Sequence, residues 1–423
     1  MTRSPHPERP RSGESKDNLR IDGARLLARL DELAQIGARP DGSCCRLALT
    51  DEDRAGRDLV ASWMREQGLE LRIDGIGNMI ALRRGREDLP PVMTGSHIDT
   101  VATGGRYDGN YGVLAGLEIM RTLDEAGIVT RRPLAVAVFT NEEGARFQPD
   151  MMGSLVYAGG LDLADALAAT ASDGAVLGQE LRCIGYAGET PCGVVTPHAF
   201  VELHIEQGPV LDSAGEVLGA VADLQGISWQ EVVLRGTSNH AGTTPMRLRH
   251  DAGYGAAALA TFVRGLAGEM GGAQVGTVGA IRLVPNLINV IAREATVTVD
   301  LRNTDEALLQ EAERRLAAYL EEIAKAEGLA IATRQLARFQ PVRFDPAIVA
   351  AIEDVADGLG HQIRRMISGA GHDAQMMARI CPTAMIFVPS VKGISHNPAE
   401  HTEPEHLRLG ADMLLHTLLR LAE

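Results

Sequence analysis

Four histidines of the chain stand in short polar contexts beside apolar runs: GSHIDT (His97), ELHIEQG (His204), SNHAGTTP (His240) and GISHNPAE (His396). Carboxylates stand in two similar contexts, YDGNYG (Asp108) and TNEEGARF (Glu142, Glu143). Imidazole and carboxylate together form the donor set that borderline divalent ions such as zinc and manganese take up. His97 and Asp99 are two residues apart on an expected strand and so point to one side. That places the Asp99 carboxylate to accept the second ring N–H of His97, the usual support for a ligating imidazole. Glu142 and Glu143 end an apolar strand, an expensive place for two carboxylates unless a cation meets them. Neighbouring strand residues face opposite ways, so both reach one site only if the chain turns there, which Gly144 permits. One would then hold metal while the other stays off it as a general base. Taken singly, each motif also has a plainer reading: His97 as a buried histidine at a sheet edge, Asp108 before Gly109 as turn chemistry, and the glutamate pair as the cap of the next helix.

The elements that must position these residues follow from hydrophobic periodicity. Helical spacing runs over about 22–68, and a strand is expected over 76–84. Another strand is expected over 91–101, a helix over 109–126, and a strand buried on both faces at LAVAVFT, 134–140. With a further strand at 201–205, this alternation indicates an α/β layer with a largely parallel sheet. From about residue 215 the order becomes strand, helix, strand, strand, helix, strand, a ferredoxin-like unit of α+β type. The α/β pattern then resumes, with a helix from Ile348, strands at 362–367 and 383–388, and a final helix over 405–421. The expected division is a tail over 1–20, a discontinuous domain over 21–213 and 335–423, and an inserted domain over 214–334. The tail is expected to be disordered, being rich in Pro, Arg, Ser and Glu without an apolar stretch.

Composition excludes several classes of function. The 423 residues are 45% hydrophobic and 23% charged, enough to bury one or two sizeable cores. No apolar run approaches the roughly 18 residues of a membrane span. Lys plus Arg number 41 against 56 Asp plus Glu, a net charge of −15 that repels phosphate backbones and anionic lipid. Neither nucleic acid nor a membrane is an expected partner. The five cysteines show no metal-finger spacing and are expected to be reduced thiols of a cytoplasmic protein.

GSHIDTV, YDGNYGVLAGLE, NEEGARF, ELHIEQGP, SNHAGTTPM, DLR and GISHNPAEHT occur in the order found in the amidase, hydantoinase and carbamoylase branch of the aminoacylase and carboxypeptidase-type metallohydrolases. The chain resembles that branch from about residue 22 to its C-terminus. The resemblance implies a zinc-peptidase-like catalytic domain and an inserted ferredoxin-like dimerisation domain. It implies two divalent ions per subunit, zinc or manganese, with cobalt or nickel as alternatives. His97 and His204 would hold one ion, Glu143 and His396 the other, and Asp108 would bridge them. Glu142 matches the general acid/base, and His240 matches a histidine that completes the partner subunit's site in a homodimer. Asn289 and Arg302 match a clamp for the substrate carboxylate, Gln207 another substrate contact, and Gly369 to Gly371 a loop that offers backbone groups to the ligand. Where many relatives carry Pro-Gly, this chain has Ala292 and Arg293.

The activity so implied is hydrolysis of the C–N bond of N-carbamoyl-L-amino acids, releasing amino acid, ammonia and carbon dioxide. Allantoate, or an N-acyl amino acid or dipeptide, is the alternative substrate. A metal-free binding protein of the same fold would show broken ligand positions, and none is broken. A serine or cysteine nucleophile finds no support, since the G-x-S-x-G elbow is missing.

Overall fold

The computed structural model describes residues 18–423. Of the expected tail, residues 1–17 lie outside the described residues, whereas 18–20 belong to the folded protein: Leu19 is buried and its carbonyl lies 2.9 Å from His416 Nε2. The described residues divide into two compact units, one running up to Ala222 and resuming over Phe344–Glu423, the other formed by Asp223–Arg343. Among the described residues no helix is long and apolar enough to cross a membrane.

The strands, in chain order, are β1 (Glu70–Ile73), β2 (Met79–Arg83), β3 (Val92–His97), β4 (Leu134–Phe139), β5 (Ala199–Ile205), β6 (Gly219–Leu224), β7 (Gly226–Arg235), β8 (Val275–Val284), β9 (Glu294–Asn303), β10 (Ala330–Phe339), β11 (Val342–Arg343), β12 (Arg364–Ser368) and β13 (Thr383–Val388). In the first unit the order is β1-β2-β4-β3-β5-β13-β6, with β12 also on β6. The centre is parallel, β4 with β3, β3 with β5 and β5 with β13, and antiparallel pairs flank it. Every residue of β3, β4, β5 and β13 is buried. The unbroken apolar run of β4 and the nearly unbroken one of β13 follow from that, because helices cover a parallel sheet and leave no solvated face to demand alternation. The helices Asn110–Glu125 and Pro404–Leu421 pack on these central strands. This is the α/β layer expected from the alternation of elements.

The expected helical stretch over 22–68 resolves into two helices, Gly23–Gln35 and Asp51–Glu66, each started by a side-chain cap, from Asp22 to Arg25 N–H and from Thr50 to Asp53 N–H. Between them lies an irregular segment whose Arg46 is fully buried. Its guanidinium donates to the carbonyls of Leu33, Ile36 and Ile98 and to Asn110 Oδ1 at 2.7–3.1 Å. Room for it exists because residue 56 is glycine; a Cβ there would stand 2.7 Å from Arg46 Cδ. Arg57 is buried as completely, donating to Asp53 Oδ2 at 2.8 Å, Gly77 O at 2.8 Å and Thr140 Oγ1 at 3.2 Å. Short elements escaped the periodicity reading, among them β1, β6 and the helices Met152–Tyr157 and Asp373–Met377. Each spans at most six residues, too few repeats for a periodic pattern to stand out.

The second unit has the order β10-β7-β9-β8, antiparallel throughout, with helices Ala252–Met270 and Glu306–Glu327. It is the β-α-β-β-α-β arrangement expected. Residues of β9 alternate between buried and half-buried, and Val232, Leu259, Val297, Leu301 and Leu316 share one core. The chain crosses between the units at 222/223 and 343/344, later than the expected 213/214 and 334/335. The reason lies in strand pairing: β6 still pairs with β13 through Gly219 and Val221, and β10 runs on to Phe339 opposite Ile227.

The Arg57–Asp53 pair carries a measurable expectation. Arg57→Ala leaves Asp53 buried without its cation, a change of about 3–5 kcal/mol. A thermal scan of the metal-free protein should show a clearly lowered Tm, and an unchanged Tm would show that the pair contributes nothing.

Candidate metal centre

The expected ligands of the first unit converge at the C-terminal ends of its parallel strands, where open α/β sheets bind their ligands. His97 is the last residue of β3, His204 lies on β5, Glu142 and Glu143 follow β4, and His396 follows β13. Asp108 ends the loop after β3 and precedes the helix Asn110–Glu125. Its Oδ1 lies 3.5 Å from His97 Nε2 and 3.2 Å from His204 Nε2, and its Oδ2 lies 3.2 Å from His396 Nε2. Glu143 Oε2 is 3.4 Å from His396 Nε2, and Glu142 Oε2 is 3.3 Å from His97 Nε2. The ligating atoms of His97, Asp108 and His204 lie within 4.8 Å of one another, as do those of Asp108, Glu143 and His396.

Both buried histidines have their tautomer set by the main chain. His97 Nδ1 donates to Asp99 O at 2.9 Å and His204 Nδ1 donates to Ile205 O at 2.8 Å, which turns each Nε2 lone pair into the site. This corrects the expected role of Asp99. β3 ends at His97, so Asp99 is not the next residue on the same face of a strand, and its carboxylate stands 3.9 Å from His97 Nδ1. It accepts the N–H groups of Glu142 at 3.2 Å and Glu143 at 3.3 Å instead. Asp99 therefore shapes the turn that aims the two glutamates. That turn is made at Asn141 (φ 56°) as well as at Gly144 (φ 60°).

Asn141, Gln207 (φ 56°) and His396 (φ 52°) all hold left-handed backbone without being glycine. Each costs on the order of 1 kcal/mol or more, and such strain gathers at functional sites. Gly109 (φ 66°) is glycine for two reasons, its backbone angle and the His97 ring, whose Cδ2 would be 2.5 Å from a Cβ. Gln207 Nε2 donates to Asp108 Oδ2 at 2.7 Å and lies 3.3 Å from His396 Nε2, so this residue belongs to the same cluster. Gly369 and Gly371 stand in the loop between β12 and the helix Asp373–Met377. A Cβ on Gly371 would meet Met151, whose N–H donates to Glu142 O.

Sequence reading passed over a layer of buried groups beneath the ligands. Glu202, two residues before His204 on β5, accepts the Ser96 hydroxyl at 2.6 Å and the Ala374 N–H at 2.7 Å. The His372 ring packs edge-on against His204 with centroids 4.6 Å apart, and its Nε2 lies 3.0 Å from Ser368 Oγ. Asp373 accepts the Ser154 hydroxyl at 2.5 Å. The period-two spacing of Glu202 and His204 and the polar GHDA stretch at 371–374 were the available signals.

His240, Asn289 and Arg302 belong to the second unit and are described within it. His240 Nδ1 accepts the N–H groups of Gly242 at 3.0 Å and Thr243 at 3.3 Å, which leaves the ring proton on Nε2. His240 also pairs with Val290, and Asn289 O accepts the Ala241 N–H at 2.9 Å, so the two segments meet. Arg302 Nε and Nη2 donate to the Asp300 carboxylate at 3.1 and 2.9 Å, with the guanidinium over the Trp229 ring.

Charge in the cluster is strongly perturbed. Burial would raise the Asp108 carboxyl, but the His204, His396 and His97 rings set against it outweigh burial and hold it well below the usual range. Burial lifts Glu142 well above that range, with Asp373, Glu143 and Asp108 adding to the rise against the pull of His97. Burial and then Asp108 push Glu143 up to about 8. The hydrogen bond to Asp108 raises His396 to about 9, while burial, aided by His204, keeps His372 well below the usual imidazole value. Three imidazoles and three carboxylates in this arrangement fit divalent cations in donor type and in sharing of one carboxylate between two sets.

The model of peptidase family M20/M25/M40 matches residues 93–420, and the chain belongs to this family of metal-dependent hydrolases. It is similar along nearly its whole length to an N-carbamoyl-L-amino-acid amidohydrolase of Rhizobium meliloti, 41% identical over 408 residues, 96% of this chain and 98% of that protein. An amidase of the hydantoinase/carbamoylase family from Burkholderia multivorans has the same fold in its crystal structure, with a TM-score of 0.90 and 45% identity over 96% of this chain and 98% of that one. A ureidoglycolate hydrolase of Arabidopsis thaliana is 35% identical over 417 residues, 96% of this chain and 88% of that protein.

At pH 7, His396 at about 9 and Glu143 at about 8 both hold protons that a cation must displace. Divalent-ion affinity should therefore rise with pH until about 9 and fall toward acid. Calorimetric titration in two buffers of different ionisation enthalpy should show at least about one proton released per ion bound at pH 7. Uptake without proton release would mean that the cluster binds no metal through these groups.

Proposed function

We propose that the protein hydrolyses the ureido C–N bond of N-carbamoyl-L-amino acids, consuming water and releasing the amino acid, ammonia and carbon dioxide. The single observation that carries this reading is the Asp108 carboxylate shared between the His97–His204 and Glu143–His396 sets, in a chain 41% identical to an enzyme named for that reaction. We assign two divalent ions, zinc or manganese, to the two sets, with Asp108 common to both. When bound, such ions polarise the ureido carbonyl and stabilise negative charge on its oxygen.

The chain's own residues supply the remaining steps. Glu142 takes a proton from the attacking water and delivers it to the leaving nitrogen; its carboxyl, well above the usual range and close to His97, supports this role. His240 offers an Nε2–H as donor to the developing oxyanion. Arg302, oriented by Asp300 and Trp229, and Asn289 hold the substrate carboxylate, and a planar fork suits a bidentate bond. Gln207 and the backbone at Gly369 to Gly371 contact the ureido end.

The assembly proposed is a homodimer in which His240 serves the partner's site. Support comes from the exposed apolar side chains Leu287 and Ile288 beside Asn289, and Met246 after His240, which a second copy would cover. A cytoplasmic location is proposed with it, supported by five cysteines that are all free. The likeness to a ureidoglycolate hydrolase favours a second reading, in which a ureido acid such as allantoate or ureidoglycolate occupies the same groups.

Ammonia release from N-carbamoyl-L-methionine, from allantoate and from ureidoglycolate, in protein reconstituted with zinc or manganese, tests the reading. Turnover of the first substrate is expected; turnover of N-acetyl amino acids or dipeptides alone would overturn it. Glu142→Gln should lose about 10²–10⁴-fold in kcat while keeping its metal content, the range of a proton-transfer group. Activity near that of the parent enzyme would remove Glu142 from the role. Mixing inactive His240→Ala and Glu142→Gln subunits should restore part of the activity through hybrid dimers. No recovery after demonstrated subunit exchange would contradict the shared site.

A further inference from the structure

The loop from Ile98 to Gly109 delivers Asp108, yet apart from an isolated bridge at Gly104 it has no strand or helix of its own. Main-chain bonds tie its first half to the 44–46 segment, Thr100 N–H to Arg46 O and Cys44 N–H to Gly104 O at 2.9 Å each, and side chains grip the backbone nearer Asp108. Glu400 does this at the end that matters. It is buried, with 6% of its surface exposed, and its Oε1 accepts the N–H groups of Tyr107 at 3.0 Å and Asp108 at 3.3 Å. Its Oε2 accepts the Ser395 hydroxyl at 2.8 Å, and Ser395 immediately precedes His396. One carboxylate thus fastens the shared Asp108 and the neighbour of His396, two segments almost 300 residues apart in sequence. Glu400 touches no other ligand, and the packing around it is close. Gly105 lies against its carboxylate, so a Cβ at residue 105 would overlap Oε1.

We propose that Glu400 is a positioning residue of the metal centre, which sets the two oxygens of Asp108 toward their separate imidazoles by holding the Tyr107 and Asp108 amides and the Ser395 hydroxyl. This rests on the two-ion reading above. The Asp108 oxygens face imidazoles at 3.2–3.5 Å on opposite sides, so a small rotation of the 107–108 backbone would serve one set at the expense of the other. Outer partners of this kind change metal affinity by roughly 10–100-fold when removed. A group that merely stabilised the fold would lower Tm and leave affinity alone.

The experiment titrates metal-free full-length protein with zinc against a chromophoric chelator and records the visible spectrum of the cobalt-loaded form. Glu400→Ala should weaken one of the two ions about 10–100-fold and alter the cobalt absorption. Gly105→Ala displaces the same carboxylate without altering it and should act in the same direction. Glu400→Gln retains an oxygen for the two amides and should recover most of the affinity. Asp412→Ala, which removes a comparable carboxylate-to-amide bond to Ile21 at 2.9 Å away from the cluster, should lower Tm and bind metal as the parent does. Parent-like affinity and spectrum in both Glu400→Ala and Gly105→Ala would overturn the proposal, as would equal weakening by Asp412→Ala. Failure of the parent protein itself to bind zinc would instead overturn the two-ion reading, and the positioning role with it.

Discussion

A single buried carboxylate that must face two ways governs this structure. Asp108 points one oxygen toward His97 and His204 and the other toward His396, within 3.5 Å of each. Around it the protein buries an excess of acid: Asp99, Glu142, Glu202, Asp373 and Glu400 are all at least nine-tenths hidden. Such a concentration is costly, because each ionised carboxylate taken out of water requires a partner. The partners supplied are main-chain amides, hydroxyls and imidazoles, while the fully buried Arg46 and Arg57 brace the chain segments just behind. The remaining negative character suits divalent cations, and the upward push on the Glu142 and Glu143 carboxyls expresses the same surplus.

The parallel strands account for how so polar a cluster is held rigidly. β3, β4, β5 and β13 are buried on both faces and end at one edge of the sheet. A rigid, fully packed layer presents its C-terminal ends at fixed positions, and the polar residues just beyond them inherit that precision. The local backbone departs from ordinary geometry where these ends must be aimed. Asn141, Gln207 and His396 accept left-handed angles there, and the packed strands behind them bear the cost.

The second unit follows a different logic. Its sheet buries one face under two helices, so β9 alternates, and its chemistry-bearing residues lie in loops or on the face away from the core. There hydrogen bonds and ring contacts fix protonation and direction. Two backbone amides place the His240 proton on Nε2, and Asp300 with Trp229 orients the Arg302 guanidinium.

Sequence alone determined the residues of the cluster and the two kinds of layer, because residue type decides donor chemistry and hydrophobic period decides which faces are buried. His97, Glu142, Glu143, His204 and His396 stood out as polar groups beside strand ends, Asp108 joined them through the order of the family motifs, and the β-α-β-β-α-β grammar was legible in its spacing. Tertiary structure decided what depends on the path of the chain beyond strand ends. Only there does Asp99 turn from the His97 ring to the amides of Glu142 and Glu143, because β3 ends at His97 and strand geometry does not continue to Asp99. Only there do Arg46 and Glu400 become neighbours of the site, since contacts between residues 64 and 292 positions apart leave no periodic trace in a sequence. The strained angles at Asn141, Gln207 and His396 were equally hidden, because non-glycine residues adopt them only when surrounding packing compels it.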